Sequence, residues 1–162
     1  MALDSERVKW AEEAGLKNLQ EKFTTADNIN KEAQTTLTYV LAGMGSTFAY
    51  VLPALEHQLT LPVFGAAAMC LYFTVLGIVL VCRTFFLGAF PSPYQEPKNL
   101  MKDEGVALED VRHGEVLNIQ ARIERAKIWN ARKARTINVV RGALVASPLV
   151  FVVIALIYAK FH

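Results

Sequence analysis

The chain has 162 residues, 53% of them apolar, and a net charge of +2. That length leaves room for one unit rather than two domains, and the apolar share is high for a soluble protein. So small a net charge excludes any argument from bulk electrostatics about acidic partners.

Charge is segregated along the chain. Residues 37–55, 62–82 and 142–158 are runs of 17 to 21 residues without a single Asp, Glu, Lys or Arg. A helix of that length crosses the ~30 Å hydrocarbon core of a bilayer. The expected fold class is therefore an all-α membrane protein. It has three transmembrane helices, an N-terminal amphipathic helix, and a long cytoplasmic helix continuing into the third span. The expected division is a cytoplasmic segment 1–35, a transmembrane hairpin 36–90 with a short outer loop 56–61, a cytoplasmic linker and basic helix 91–137, and a third span with a short outer tail 138–162.

In chain order, the first 23 residues carry charge and no apolar core segment, so they do not read as a cleavable signal. Asp4 or Ser5 can cap a helix to about Phe23, with Val8, Ala11, Leu16, Leu19 and Phe23 on one side. Trp10 either helps that helix pack or rests at the headgroups. Thr24-Thr25-Ala26-Asp27 resembles a capping box and predicts a second helix start that runs into the first span. PSPYQEP, residues 91–97, is a breaker-rich linker. From about Val106 a helical pattern resumes, with Gly114 its only weak point before Gly142.

Basic residues set the expected orientation. Five lie in residues 1–35 (Arg7, Lys9, Lys17, Lys22, Lys31), none in the loop 56–61, and nine in residues 91–137. Arg83 and Arg141 border that middle segment, and Lys160 alone sits at the far end. This predicts a bacterial inner-membrane protein, multi-pass, with its N-terminus in the cytoplasm and its C-terminus outside.

Within the first run, Thr38, Ala42, Gly45, Ser46, Ala49 and Pro53 share one helical face, opposite Leu37, Leu41, Met44, Phe48, Val51 and Leu52. The second run repeats a small stripe with Ala66, Cys70, Thr74 and Gly77, and the third does so with Gly142 and Ala146. Small residues let helices approach closely in lipid. Two readings are open. The stripes pack the three helices of one protomer, or the first stripe meets its symmetry copies and lines a narrow, weakly polar pore that gates by dewetting. Pro148 is expected to kink or loosen the third span, with Ser147 satisfying the freed carbonyl.

Residues 115–141 carry seven Lys/Arg and two Glu. Arg122, Arg125, Arg132 and Lys133 fall within about a 100° arc of a helix, with Trp129 beside them. They either anchor the helix at anionic headgroups or form an anion site for the phosphates of a nucleotide or short oligonucleotide, on which Trp129 could stack. Ile119, Ile123, Ala126 and Ala134 lie on other sides.

Several classes are excluded. No phosphate-binding loop, dinucleotide fingerprint or catalytic constellation of His57, His113 and His162 exists, so no enzyme is expected. No cofactor or metal is expected. Cys70 and Cys82 are ~18 Å apart on one helix, too far to bridge. The absence of ionisable residues at membrane depth argues against a coupled transporter.

A polar TTADNINKEAQTT segment enters the first span, and a basic QARIERAKIWNARKAR helix feeds the last. That layout resembles the small transmembrane effectors of bacterial anti-phage systems, Pycsar-type and Hailong-type membrane proteins among them. The resemblance implies a dormant homo-oligomer, expected here as a tetramer. A nucleotide-derived signal activates it, and it then permeabilises the membrane. The residues concerned would be the small stripe of the first span and the Arg122–Lys133 stripe. The chain departs from that pattern in lacking a separate folded sensor domain. The competing expectation is an accessory subunit that anchors a larger complex to the bilayer.

Overall fold

The structure, a computed structural model, describes residues 2–54, 60–85 and 107–161. Residues 55–59 of the expected outer turn, with Glu56 and His57, and the 91–97 linker lie outside the described residues. Among the described residues the chain is all-helical and contains no strand. Helix α1 is Ala2–Ala54 and α2 is Leu61–Leu80, prolonged by a wide π turn at Val81–Phe85; α3 is Leu108–Phe161. All three helices are long and apolar enough to cross a membrane.

The structure corrects the expected helix boundaries in the first 30 residues. Helix α1 begins ahead of Asp4 and Ser5 and passes through residues 24–27 without a break. The Thr24 and Thr25 hydroxyls donate backwards, to the carbonyls of Gln20 at 3.2 Å and Glu21 at 2.8 Å. Their side chains therefore serve the preceding turn and cap no new one. The deeper reason is burial at seven-residue spacing. Leu19, Ala26, Ala33 and Val40 are all buried, and every seventh residue of a helix returns to nearly the same side. Helix α3 shows the matching pattern, with Ile119 and Ala126, and with Ile123, Asn130 and Ile137, all buried.

The chain divides into two compact units. The first comprises Met1–Ile29 with Leu87–Arg132. Its core is Leu19, Ile119 and Ile123, with Leu16 and Phe23 packed against them. Gly15 permits a close approach, since a Cβ there would lie 2.9 Å from Cγ2 of Ile119. About two turns further along α1, the Asn130 side-chain amide donates to the Lys22 carbonyl at 3.0 Å. These contacts join residues 104 and 108 positions apart in the same order, so α1 and α3 run parallel here. A buried Asn in such a seam fixes which residues face each other.

The second unit comprises Asn30–Phe86 with Lys133–His162. The α1 and α3 segments are parallel here too, through Lys133 to Asn30 at 3.2 Å and Arg141 to Thr36 at 2.9 Å. Helix α2 runs against both. Its start is set by Thr60 in extended conformation and by Pro62 in the first turn, where a missing N–H costs nothing. Along α2, Gly65 abuts Phe151, the Tyr72 hydroxyl donates to the Ala143 carbonyl at 2.8 Å, Phe73 lies over Gly43, and Gly77 faces Val40. The Tyr72 bond gives a phenol in apolar surroundings its partner. Helix α3 passes through Gly142 and Pro148 as one element.

Candidate functional site

The small stripe of α1 faces outward. Thr38, Ala42, Gly45, Ser46, Ala49 and Pro53 are all exposed. Two neighbouring glycines show the division. A Cβ on Gly43 would sit 3.0 Å from the Phe73 ring, whereas one on Gly45 would meet nothing within 4 Å. The inward edge of α1 is thus Val40, Gly43 and Thr47, and the sequence pattern had singled out none of them. The exposed hydroxyls are satisfied within their own helix: Thr38 donates to the Gln34 carbonyl at 3.1 Å and Ser46 to that of Gly43 at 3.0 Å. The resulting wall is weakly polar, its hydroxyl hydrogens taken up by its own helix and only the oxygen lone pairs left to face outward.

The small stripe of α2 behaves oppositely. Ala66 is buried, Thr74 donates to the Cys70 carbonyl at 2.8 Å, and a Cβ on Gly77 would lie 3.5 Å from Val40. Of the two open readings of these stripes, packing within the protomer holds for α2 and not for α1.

The basic stripe is also divided. In the first unit, Arg122 pairs with Glu115 at 3.4 Å, both side chains largely buried. The second carboxylate oxygen of Glu115 is buried without a hydrogen-bond partner. Arg125 and Arg132 are exposed, and Trp129 is half-buried. Lys133 belongs to the second unit, where its ammonium donates to the Asn30 side-chain carbonyl. Of the four cations of the stripe, Arg125 and Arg132 are the exposed ones. Ile119, Ile123 and Ala126, assigned to other sides of the helix, form its buried edge.

A polar cluster that the sequence pattern did not reveal sits at the foot of the apolar runs. The Arg141 Nε donates to the Thr36 hydroxyl, Thr36 donates to the Glu32 carbonyl at 2.8 Å, and Arg141 Nη2 pairs with the Glu32 carboxylate. Glu32 is the last charge before the first run and Arg141 the last before the third. That border position was the only available signal, because more than 100 residues separate the partners.

An apolar groove of about 300 Å³ lies between α1 and α2, lined by Leu37, Val40, Met44, Phe73, Gly77 and Cys82 among others. Its walls offer nothing to orient a polar substrate. Cys70 and Cys82 are free thiols. Among the described residues no group of three His, Cys, Asp or Glu is placed to hold a metal. No family model, curated protein or solved structure matches this chain at a significant level.

Proposed function

We propose that the chain is a multi-pass membrane protein of the bacterial inner membrane whose copies assemble into a gated, poorly selective ion pore. The observation that supports this best is the outward position of Thr38, Ala42, Gly45, Ser46, Ala49 and Pro53 on a helix that meets α2 through a different edge, at Val40 and Gly43. Small side chains allow close helix contact in lipid, where apolar surface alone gives no drive to associate. A wall of satisfied hydroxyls and small side chains passes water and ions without binding any one of them, and a narrow wall of this kind closes by dewetting.

Insertion itself is supported by exposed apolar surface. Val145 and Leu149 on α3 are 83% and 71% exposed. In water such surface is unfavourable by roughly 25 cal/mol per Å², and in hydrocarbon that penalty disappears. The distribution of Lys and Arg supports an N-terminus in the cytoplasm and a C-terminus outside. A nucleotide-type anion at Arg125 and Arg132, held by the planar guanidinium fork, would be the activating ligand. The anti-phage role rests on the resemblance of layout alone.

The test is dye or potassium release from vesicles holding the purified protein. Wild type is expected to leak, and Ser46→Leu or Ala49→Leu to stop the leak while still inserting. Equal release from all three proteins, or none from wild type with or without added nucleotide, overturns the reading.

A further inference from the structure

The apolar groove between α1 and α2 opens to the outside of the second unit. Its α1 wall is Leu37, Val40, Leu41 and Met44, and its α2 wall runs from Phe73 to Cys82. Gly77 keeps the floor hollow, since a Cβ there would already touch Val40 at 3.5 Å. Leu37 is the first residue of the first charge-free run, and Cys82 is the last of the second. The groove therefore starts at the edge of the apolar region and runs inward from it.

Beyond that edge the same unit gathers its cations. Asn30 precedes Leu37 by seven residues, so it lies on the same side of α1, about 10 Å along the axis. Its side-chain carbonyl accepts from the Lys133 ammonium at 3.2 Å. Arg83 directly follows Cys82 and is exposed. Gly43 lies level with Phe73 and Val40 with Gly77. Continuing that antiparallel match sets Arg83 level with Ala33 and Gln34, one turn from Asn30. Lys31 and Arg135 are exposed at this end too. Among the described residues of the unit the one carboxylate here is Glu32, which Arg141 engages. Exposed Asp27, one turn before Asn30, still leaves a positive excess against Lys31, Arg83, Lys133 and Arg135.

We propose that this is a site for an anionic phospholipid, with one acyl chain in the groove and the headgroup phosphate at Lys133 and Arg83. It rests on the reading that the chain spans a bilayer, and not on the pore. An apolar hollow at hydrocarbon depth takes an acyl chain, and cations two turns away lie where the headgroups begin. The groove wall sets no preference among lipids, so the choice of an anionic one falls to the charge at its mouth. The Lys133 stem can lie along apolar surface while its ammonium stays at the interface. The Arg83 guanidinium offers a planar fork that matches phosphate. A helix of a second copy is a poorer occupant. Copies related by an axis along the membrane normal keep every residue at its own height. Such a helix would bring Lys133 and Arg83 of one copy against the same cations of the other, where like charges repel.

The test reconstitutes the full chain in vesicles of phosphatidylglycerol and phosphatidylcholine in equal amounts, with flotation showing first that it inserts. The protein is then extracted in mild detergent, and the lipid it retains is identified by mass spectrometry. Wild type is expected to retain phosphatidylglycerol in preference. Lys133→Gln and Arg83→Gln are each expected to lower that preference about fivefold, the factor one cation contributes at an anionic surface. Lys133→Arg is expected to keep it. Arg135→Gln is expected to leave it unchanged, because two residues along a helix put Arg135 on the side away from Lys133. Gly77→Leu fills the hollow and is expected to release both lipids while circular dichroism shows the helices intact; if it does not fold, the charge variants decide alone. Equal retention of the two lipids by wild type overturns the site. So does a preference that Lys133→Gln and Arg83→Gln leave intact, an equal loss from Arg135→Gln, or full retention by a folded Gly77→Leu. Each of these leaves the membrane reading standing. A chain that does not float with the vesicles overturns both.

Discussion

The Arg141 Nε donates at 2.9 Å to the hydroxyl of Thr36, a side chain with no exposed surface that itself donates to the Glu32 carbonyl. One buried hydroxyl thus ties the last cation before the third apolar run to the last turn before the first. Satisfying Arg141 here lets α1 and α3 continue into apolar surroundings without leaving a bare charge at their border.

Replacing Arg141 with Leu removes a charge-assisted contact from a partly exposed site. The expected loss is about 1 kcal/mol, below the full range for such bonds because solvent already screens the Glu32 carboxylate. Thr36→Val keeps the shape and leaves the Arg141 Nε without its acceptor, at a comparable cost. Combining them should cost less than the sum, since both break the same contact. Denaturant unfolding in micelles measures this, and strict additivity would show that the two residues act independently.

Gly43 and Gly45 separate the stability of the protomer from its assembly. Gly43→Ala pushes a Cβ onto the Phe73 ring at 3.0 Å, so unfolding should become easier by roughly 1 kcal/mol. Gly45→Leu meets open space within one protomer. It should leave unfolding of the isolated protomer nearly unchanged and reduce the particle mass in mild detergent. An unaltered mass would remove the outward stripe from the assembly interface.

How much of this was legible in the sequence follows from what determines each feature. The three long apolar helices were legible because a charge-free run of 17 or more residues is a local property. The continuity of α1 was hidden by Thr24, Thr25 and Asp27, whose side chains cap a helix as readily as they bond back one turn. Its true signature, Leu19, Ala26, Ala33 and Val40 at intervals of seven, was diluted by two alanines. The face opposite the small stripe was legible as a pattern. Which stripe turned inward was not, because α1 and α2 carry similar small residues and the choice depends on where Phe73 fits. Lys22–Asn130 has no sequence signal, and Glu32–Arg141 only their shared position at the border of an apolar run, since spacing reveals only neighbours within a few turns.

Gly65 marks a close approach of α2 to α3, where a Cβ would lie 2.7 Å from a ring carbon of Phe151. Gly65→Ala should therefore destabilise by about 1–3 kcal/mol as the ring is forced aside. Phe151→Leu in the same chain vacates that volume and should restore most of the loss. Thermal melts of the single and double variants decide the matter. A double variant no better than Gly65→Ala alone would show that the strain falls on the helix backbone and not on the ring.

Asn130 offers a contrast between stability and uniqueness. It is buried at a seam position, its amide donates to Lys22, and its own carbonyl oxygen has no hydrogen-bond partner. The Lys22 carbonyl keeps its helical bond when Asn130 is replaced, so Asn130→Leu orphans nothing and removes one buried polar atom that costs free energy. The expected gain is about 1 kcal/mol, raising the melting midpoint by roughly 2–4 °C for a chain of this size. The cost falls on register, because an all-apolar seam accepts α1 shifted by one heptad along α3. Spin labels at Lys17 and Arg125 should give one sharp distance in wild type and a broadened or second distance in Asn130→Leu. A lower midpoint would mean that the amide contact outweighs the buried apolar surface. A single sharp distance in the variant would mean that the flanking Leu19, Ile119 and Ile123 hold the register without help.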